Sequence, residues 1–146
     1  SGVMGLQASL RAAAVTLLTD YAADANVRLQ VYPARPRSVN PPTAFVDIIR
    51  ESIAYLGPTL RQRTPIADVV VIHGIFDSKE AADQKDAFMD GFLDWVNTRF
   101  HAAGANTLVA VTDTTDEPYY VPDWLPPEQR LVYYATRITV EGLSLS

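Results

Sequence analysis

Two histidines, His73 and His101, and no cysteine are all that the chain offers for imidazole or thiol chemistry. The missing thiols exclude a disulfide scaffold, a thiolate zinc site and a cysteine nucleophile. One possible histidine pair argues against most histidine-rich metal sites. No G-x-S-x-G elbow, no G-x-x-x-x-G-K phosphate loop and no G-x-G-x-x-G turn occurs. His73 lies in the run Ile66 to Gly74, where a packed or edge histidine is a plainer reading than a catalytic one. His101 falls near the end of a predicted helix and suits the negative pole of its dipole. An enzyme or ligand-binding pocket would have to draw on His73, Asp68 and Arg63. The expectation is no catalytic residue, no metal and no cofactor.

Charged and aromatic residues are more informative. Residues 28–63 carry six arginines against Asp47 and Glu51, a net +4. Residues 77–94 carry six acids against Lys79 and Lys85, a net −4, and residues 113–128 carry five acids and no base. Zones of opposite sign on one chain attract copies of that chain where they face each other; scattered solvated charge is the blander reading of the same pattern. Tyr, Trp and Arg are the side chains that anchor protein interfaces. Arg35, Arg37, Arg61 and Arg63 are therefore candidate basic contacts, and Tyr119, Tyr120 and Trp124 candidate loop anchors.

Asp83, Asp86, Asp90 and Asp94 fall on one side of a helical wheel. Such i, i+4 carboxylates repel one another by a few tenths of a kcal/mol. A cation site is one reading, but no oxygen-rich loop completes a cage, and a solvated helix face explains the ridge more simply. An acidic face also suits a surface that stands near DNA without binding it.

The elements that must carry these residues follow from periodicity. Leu6, Leu10, Ala13, Ala14, Leu17 and Tyr21 mark an amphipathic helix over 5–25, with Asn26 as its stop. Residues 27–32 alternate as a short strand. Residues 33–42 hold four prolines and read as an exposed loop or arm bearing Arg35 and Arg37. Strands are predicted over 43–50, over 59–63 and over 66–74, the last a central one, with Gly57-Pro58 as a turn. A second helix is predicted from Asp77, capped by an Asp77/Glu80 box, to about Ala102, with Gly104 as its stop. Ala81, Phe88, Met89, Phe92, Trp95 and Val96 form its apolar arc. Gly91 inside it costs about 1 kcal/mol relative to alanine, which either close packing or chance would explain. Thr107 to Thr112 reads as a strand, 113–130 as a long acidic loop with four prolines, and 131–141 as the last strand. A structureless loop of that length is uncommon unless it has a function.

With 146 residues, 48% apolar and 20% charged, the chain fits one domain that buries roughly two thirds of its unfolded surface. Two helices are too few for a doubly wound sheet. The expected fold is α+β, a mostly antiparallel sheet with both helices packed on one face. The net charge of −5 makes a general nucleic-acid binder a poor fit. No apolar run approaches a membrane span, and Ser1 to Gly5 shows no basic segment leading into an apolar one, so no secretory signal is expected.

In its element order the chain resembles the tail terminator, or tail completion, proteins of long-tailed bacteriophages. The similarity runs through "NPPTAFVD" at 40–47, "RQRTPIADVVVIHG" at 61–74, "DSKEAADQKDAFMDGFLDWV" at 77–96 and "YYATRITV" at 133–140. Head-closure and other neck proteins share much of it. The resemblance implies a non-enzymatic virion protein, made in the host cytoplasm, that forms a hexameric ring. Its implied partners are its own copies, the tail tube protein and the head–tail connector, with genomic DNA passing through the lumen without specific binding. On this reading Asp83, Asp86, Asp90 and Asp94 line the lumen or face a neighbouring subunit.

Overall fold

Leu10, Ala13, Ala14, Leu17, Leu18, Tyr21 and Ala22 recur at helical spacing and are all buried along α1 (Leu6–Ala25). Asn26 ends the helix in the left-handed region, at φ 54°, and its N–H turns back to the Ala22 and Ala23 carbonyls. The computed structural model describes residues 5–97 and 107–144. After α1 come β1 (Gln30–Tyr32), β2 (Thr43–Tyr55), β3 (Arg61–Ile75), α2 (Lys79–Asn97), β4 (Thr107–Val121), a 3-10 turn (Pro127–Gln129) and β5 (Leu131–Ser144).

The five strands form one sheet in the order β1-β2-β3-β5-β4, antiparallel except for the short β1–β2 pair. The apolar run of β3 is the central strand, buried on both faces from Ala67 to His73. This is the expected α+β architecture. Both helices pack on one face, where Ala44, Val46, Val69, Val71, Ile138 and Val140 meet Leu10, Leu17, Phe88 and Phe92. The other face carries a smaller cluster of Phe45, Val70, Ile72, Tyr133 and Ala135, partly covered by Val39 and Tyr119. Among the described residues, no helix is long and apolar enough to cross a membrane.

Four local expectations need correction. The segment 113–130 is not one loop: β4 continues through it to Val121, and only residues 122–130 leave the sheet. Asp113, Asp116, Glu117 and Pro118, which suggest a loop, sit on an edge strand, where a missing amide donor is tolerated and charge blocks further pairing. Asp116 and Glu117 are satisfied across the ladder by Tyr134, Thr136 and Arg137 of β5. Next, α2 is capped by Ser78 rather than Asp77. Ser78 Oγ accepts from the Ala81 N–H at 3.0 Å, while Asp77 takes φ 64° in the turn out of β3. Finally, the strand expected over 27–32 is confined to 30–32, and those expected over 59–63 and 66–74 are one strand. The predicted helix end near Ala102, the Gly104 stop and His101 lie outside the described residues.

Candidate interaction sites

Arg35 stands at the middle of the proline-rich arm and reaches back onto the sheet. One guanidinium nitrogen donates to Asp47 on β2 at 3.1 Å, and another donates to Asp123, just after β4, at 3.2 Å. The same group lies 5.5 Å from the Tyr119 ring centroid and 5.8 Å from that of Phe45, within cation–π range. The two proline-rich segments, far apart in sequence, are thus tied together. Between them is a pocket of about 410 Å³ lined by Arg35, Arg37, Val39, Tyr119, Tyr120 and Trp124, among others.

Five of the seven candidate interface residues therefore share one site. Arg35 is committed to its carboxylates, whereas Arg37 makes no ion pair or side-chain hydrogen bond among the described residues. Trp124 is 78% exposed. Burial pushes the Tyr119 hydroxyl up, with the Asp47 and Asp123 carboxylates adding to it and Arg35 opposing.

Arg61 and Arg63 do not join this site. The register puts them at the opposite end of the sheet, paired with Tyr55 and Ile53 in the β2–β3 hairpin. Arg63 grips Glu51 with two bonds of 2.7 Å, and Glu51 also accepts from Gln7 at 3.1 Å. The Arg63 and Gln7 hydrogen bonds hold the Glu51 carboxyl down at about 2.

Asp83, Asp86, Asp90 and Asp94 are all exposed along α2, as the wheel implies. Asp86 has Lys85 at 3.6 Å. Among the described residues, no group of three or more carboxylate or imidazole side chains converges on a metal-sized site.

No protein-family model matches the chain, and no curated protein matches it.

The set His73, Asp68 and Arg63 is not assembled. His73 faces the helices, Asp68 faces the other side of the sheet, and Arg63 is out in the hairpin. His73 is buried beside Phe88 and Tyr134. Its Nε2 lies 2.9 Å from the Thr136 hydroxyl, whose one hydrogen goes to Asp116 at 3.1 Å. Nε2 therefore carries the proton and donates to Thr136. Burial, opposed by Asp116 and assisted by Lys85, lowers His73 to about 4, so it is neutral at pH 7. It lines a mostly apolar pocket of about 320 Å³ with Tyr21, Val27, Arg28, Gln84 and Phe88.

A charge network on the face away from the helices escapes sequence reading. Arg137 of β5 donates to Asp47 at 3.0 Å and to Glu117 at 2.9 Å, and lies 3.7 Å from Asp68. Asp68 also accepts from Arg50 at 2.8 Å. The Asp47 and Asp68 side chains are nearly buried. Burial works against the Arg137 charge, but Asp47 and Glu117 outweigh it and raise its pKa. A lone Asp68 inside the run Ile66–Ile72 is the one sequence signal that pointed here.

Proposed function

We propose that this chain is a non-catalytic structural protein of the phage head–tail junction, a ring-forming tail terminator. Its role is to cap the tail tube, end its growth and dock it to the head connector. The observation that carries this reading is the shared site of Arg37, Tyr119, Tyr120 and Trp124 between two tethered proline-rich segments. A solvent-facing tryptophan beside tyrosines and a guanidinium with no ion pair among the described residues has the composition of an interface anchor. The arm that carries it is held in place before any partner arrives, which lowers the ordering cost of binding. On this reading the acidic face of α2 looks onto the lumen or a neighbouring subunit, where it keeps DNA from adhering.

Negative-stain images of the purified chain, with co-sedimentation against assembled tail tubes, test the proposal. Closed rings seated at tube ends are the expected result. A monomer that stays in the supernatant overturns it, and rings that bind only the connector reassign the chain to head closure.

A second reading, a ligand-binding domain, has one observation in its favour: the apolar pocket beside His73. A thermal-shift screen of small apolar compounds addresses it; a rise in melting temperature abolished by Phe88→Ala supports it.

A further inference from the structure

The β2–β3 hairpin carries an apolar stripe that outruns the helix covering it. Along β2, Ala44 and Val46 are buried under the helices, Ile49 is partly buried, and Glu51 is reached by Gln7 from the first turn of α1. Ile53 and Tyr55 continue the same side of the strand and are both exposed. Tyr55 is 75% exposed, and Leu56 and Leu60, which close the turn, are 63% and 59% exposed. The third strand gives no help, because β5 begins to pair with β3 only at Ile66. Residues 53–63 are therefore a two-stranded projection, and such ribbons are marginally stable in water without a packed face. Large side chains exposed together on one projection mark a docking surface.

The occupant is read from charge. Arg61 lies directly opposite Tyr55 and Arg63 opposite Ile53, so guanidinium and apolar groups share one side of the ribbon. Arg61 makes no ion pair among the described residues. The matching surface is on the chain itself. Asp83, Asp90 and Asp94 are exposed on α2 and make no ion pair among the described residues. One molecule does not bring the two together. The α2 contacts are with Gly74 through Ala81 and with Tyr21 and Asp24 through Trp95, toward the end of the sheet away from the hairpin.

We propose that the 53–63 hairpin docks on a second copy of this chain, with Tyr55, Leu56 and Arg61 against the acidic face of that copy's α2. The contact is heterologous, a different surface on each partner, and closes into a ring or continues as a filament according to the rotation per step. It deepens the self-association in the proposed function but is read on the isolated chain, so the two fail separately.

Sedimentation velocity of the full chain over a range of concentrations is the test. Wild type is expected to associate. Tyr55→Ser with Leu56→Ser is expected to weaken association at least about tenfold with an unchanged far-ultraviolet circular dichroism spectrum. Should that variant fail to fold, charge reversal serves instead. Arg61→Glu and the pair Asp83→Lys with Asp90→Lys are each expected to sediment as monomers. Mixed together they are expected to associate again, because the intact hairpin of one meets the intact acidic face of the other and the two reversed surfaces are also opposite in sign. A monomeric wild type, a folded hairpin variant that associates as wild type does, or a mixture that stays monomeric overturns the proposal. Association lost in the hairpin variant, without any binding of wild type to tubes, keeps the hairpin contact and removes the tail-terminator reading.

Discussion

The Arg35 guanidinium stands 5.5 Å from the Tyr119 ring centroid, so the arm before β2 closes on the end of β4. Arg35 also bridges Asp47 and Asp123. Because the side chain is half exposed, solvent screens both pairs, and Arg35→Ala is expected to cost only about 1 kcal/mol. That is about 3 °C in melting temperature for a chain of this size. The local effect is larger: limited proteolysis within 33–42 should accelerate clearly. Arg37→Ala, which removes no described bond, should leave both stability and cleavage as in wild type while weakening partner binding. An Arg37→Ala variant cleaved as fast as Arg35→Ala contradicts the division of labour between the two arginines.

Gly91 has a packing reason to be glycine. A Cβ placed there would meet the Tyr21 hydroxyl at 2.5 Å, and Tyr21 is wedged edge-on against Phe88, Phe92 and Trp95. Gly91→Ala is therefore expected to forfeit the gain of about 1 kcal/mol that alanine brings to a helix interior. It should be neutral or destabilising in urea titration. In a Tyr21→Phe background the clash is gone, and the same substitution should stabilise by up to about 1 kcal/mol. Equal effects in both backgrounds remove the Tyr21 explanation.

How much of this was legible in the chain depends on whether the signal is local. Leu10, Ala14, Leu17 and Tyr21 declare α1 by spacing alone, and the alanines agree with it. Val69 to Ile72 declare the central strand for the same reason. Asp116, Glu117 and Pro118 mislead because the rule that makes them loop residues holds for isolated segments; beside β5 they become edge-strand residues, with Asp116 met by Tyr134 and Lys85 and Glu117 met by Arg137. The Asp47, Asp68 and Arg137 network left only the lone Asp68 as a signal, since its members meet only through the strand order. Likewise, arginines 35, 37, 61 and 63 look like one basic group until the length of β2 separates them into two ends.

Acid should destabilise the fold in two windows. His73 has a folded value of about 4 against an ordinary 6.5, so the unfolded chain binds more protons between them. Its contribution is complete above pH 6.5 and is lost as pH falls toward 4, on the order of 3 kcal/mol over the whole interval. Glu51, held at about 2 against 4.5, likewise contributes above pH 4.5 and loses that contribution as pH falls toward 2. Urea unfolding at pH 7, 5.5, 4 and 2.5 should show His73→Gln flattening the upper window only, and Glu51→Gln should flatten only the lower. An upper window unchanged in His73→Gln assigns that titration to another group.

Arg137 is the cation on which the open face of the sheet depends. Among the described residues it is the one cation that reaches all three of Asp47, Glu117 and Asp68, and two of these carboxylates have little access to water. Arg50 continues to serve Asp68 and Arg35 continues to serve Asp47, so removing Arg137 weakens the network without orphaning it. Arg137→Ala is expected to cost about 2 to 3 kcal/mol, below the loss for a fully buried pair. Arg137→Lys should recover only part, since one ammonium cannot span the two carboxylates that the planar fork holds. Chemical denaturation of the single variants and of Arg137→Ala/Asp47→Ala completes a cycle. The double variant should be less destabilised than the sum, by about 1 kcal/mol, because each substitution removes the other's partner. Simple additivity would mean that the two side chains do not interact in solution.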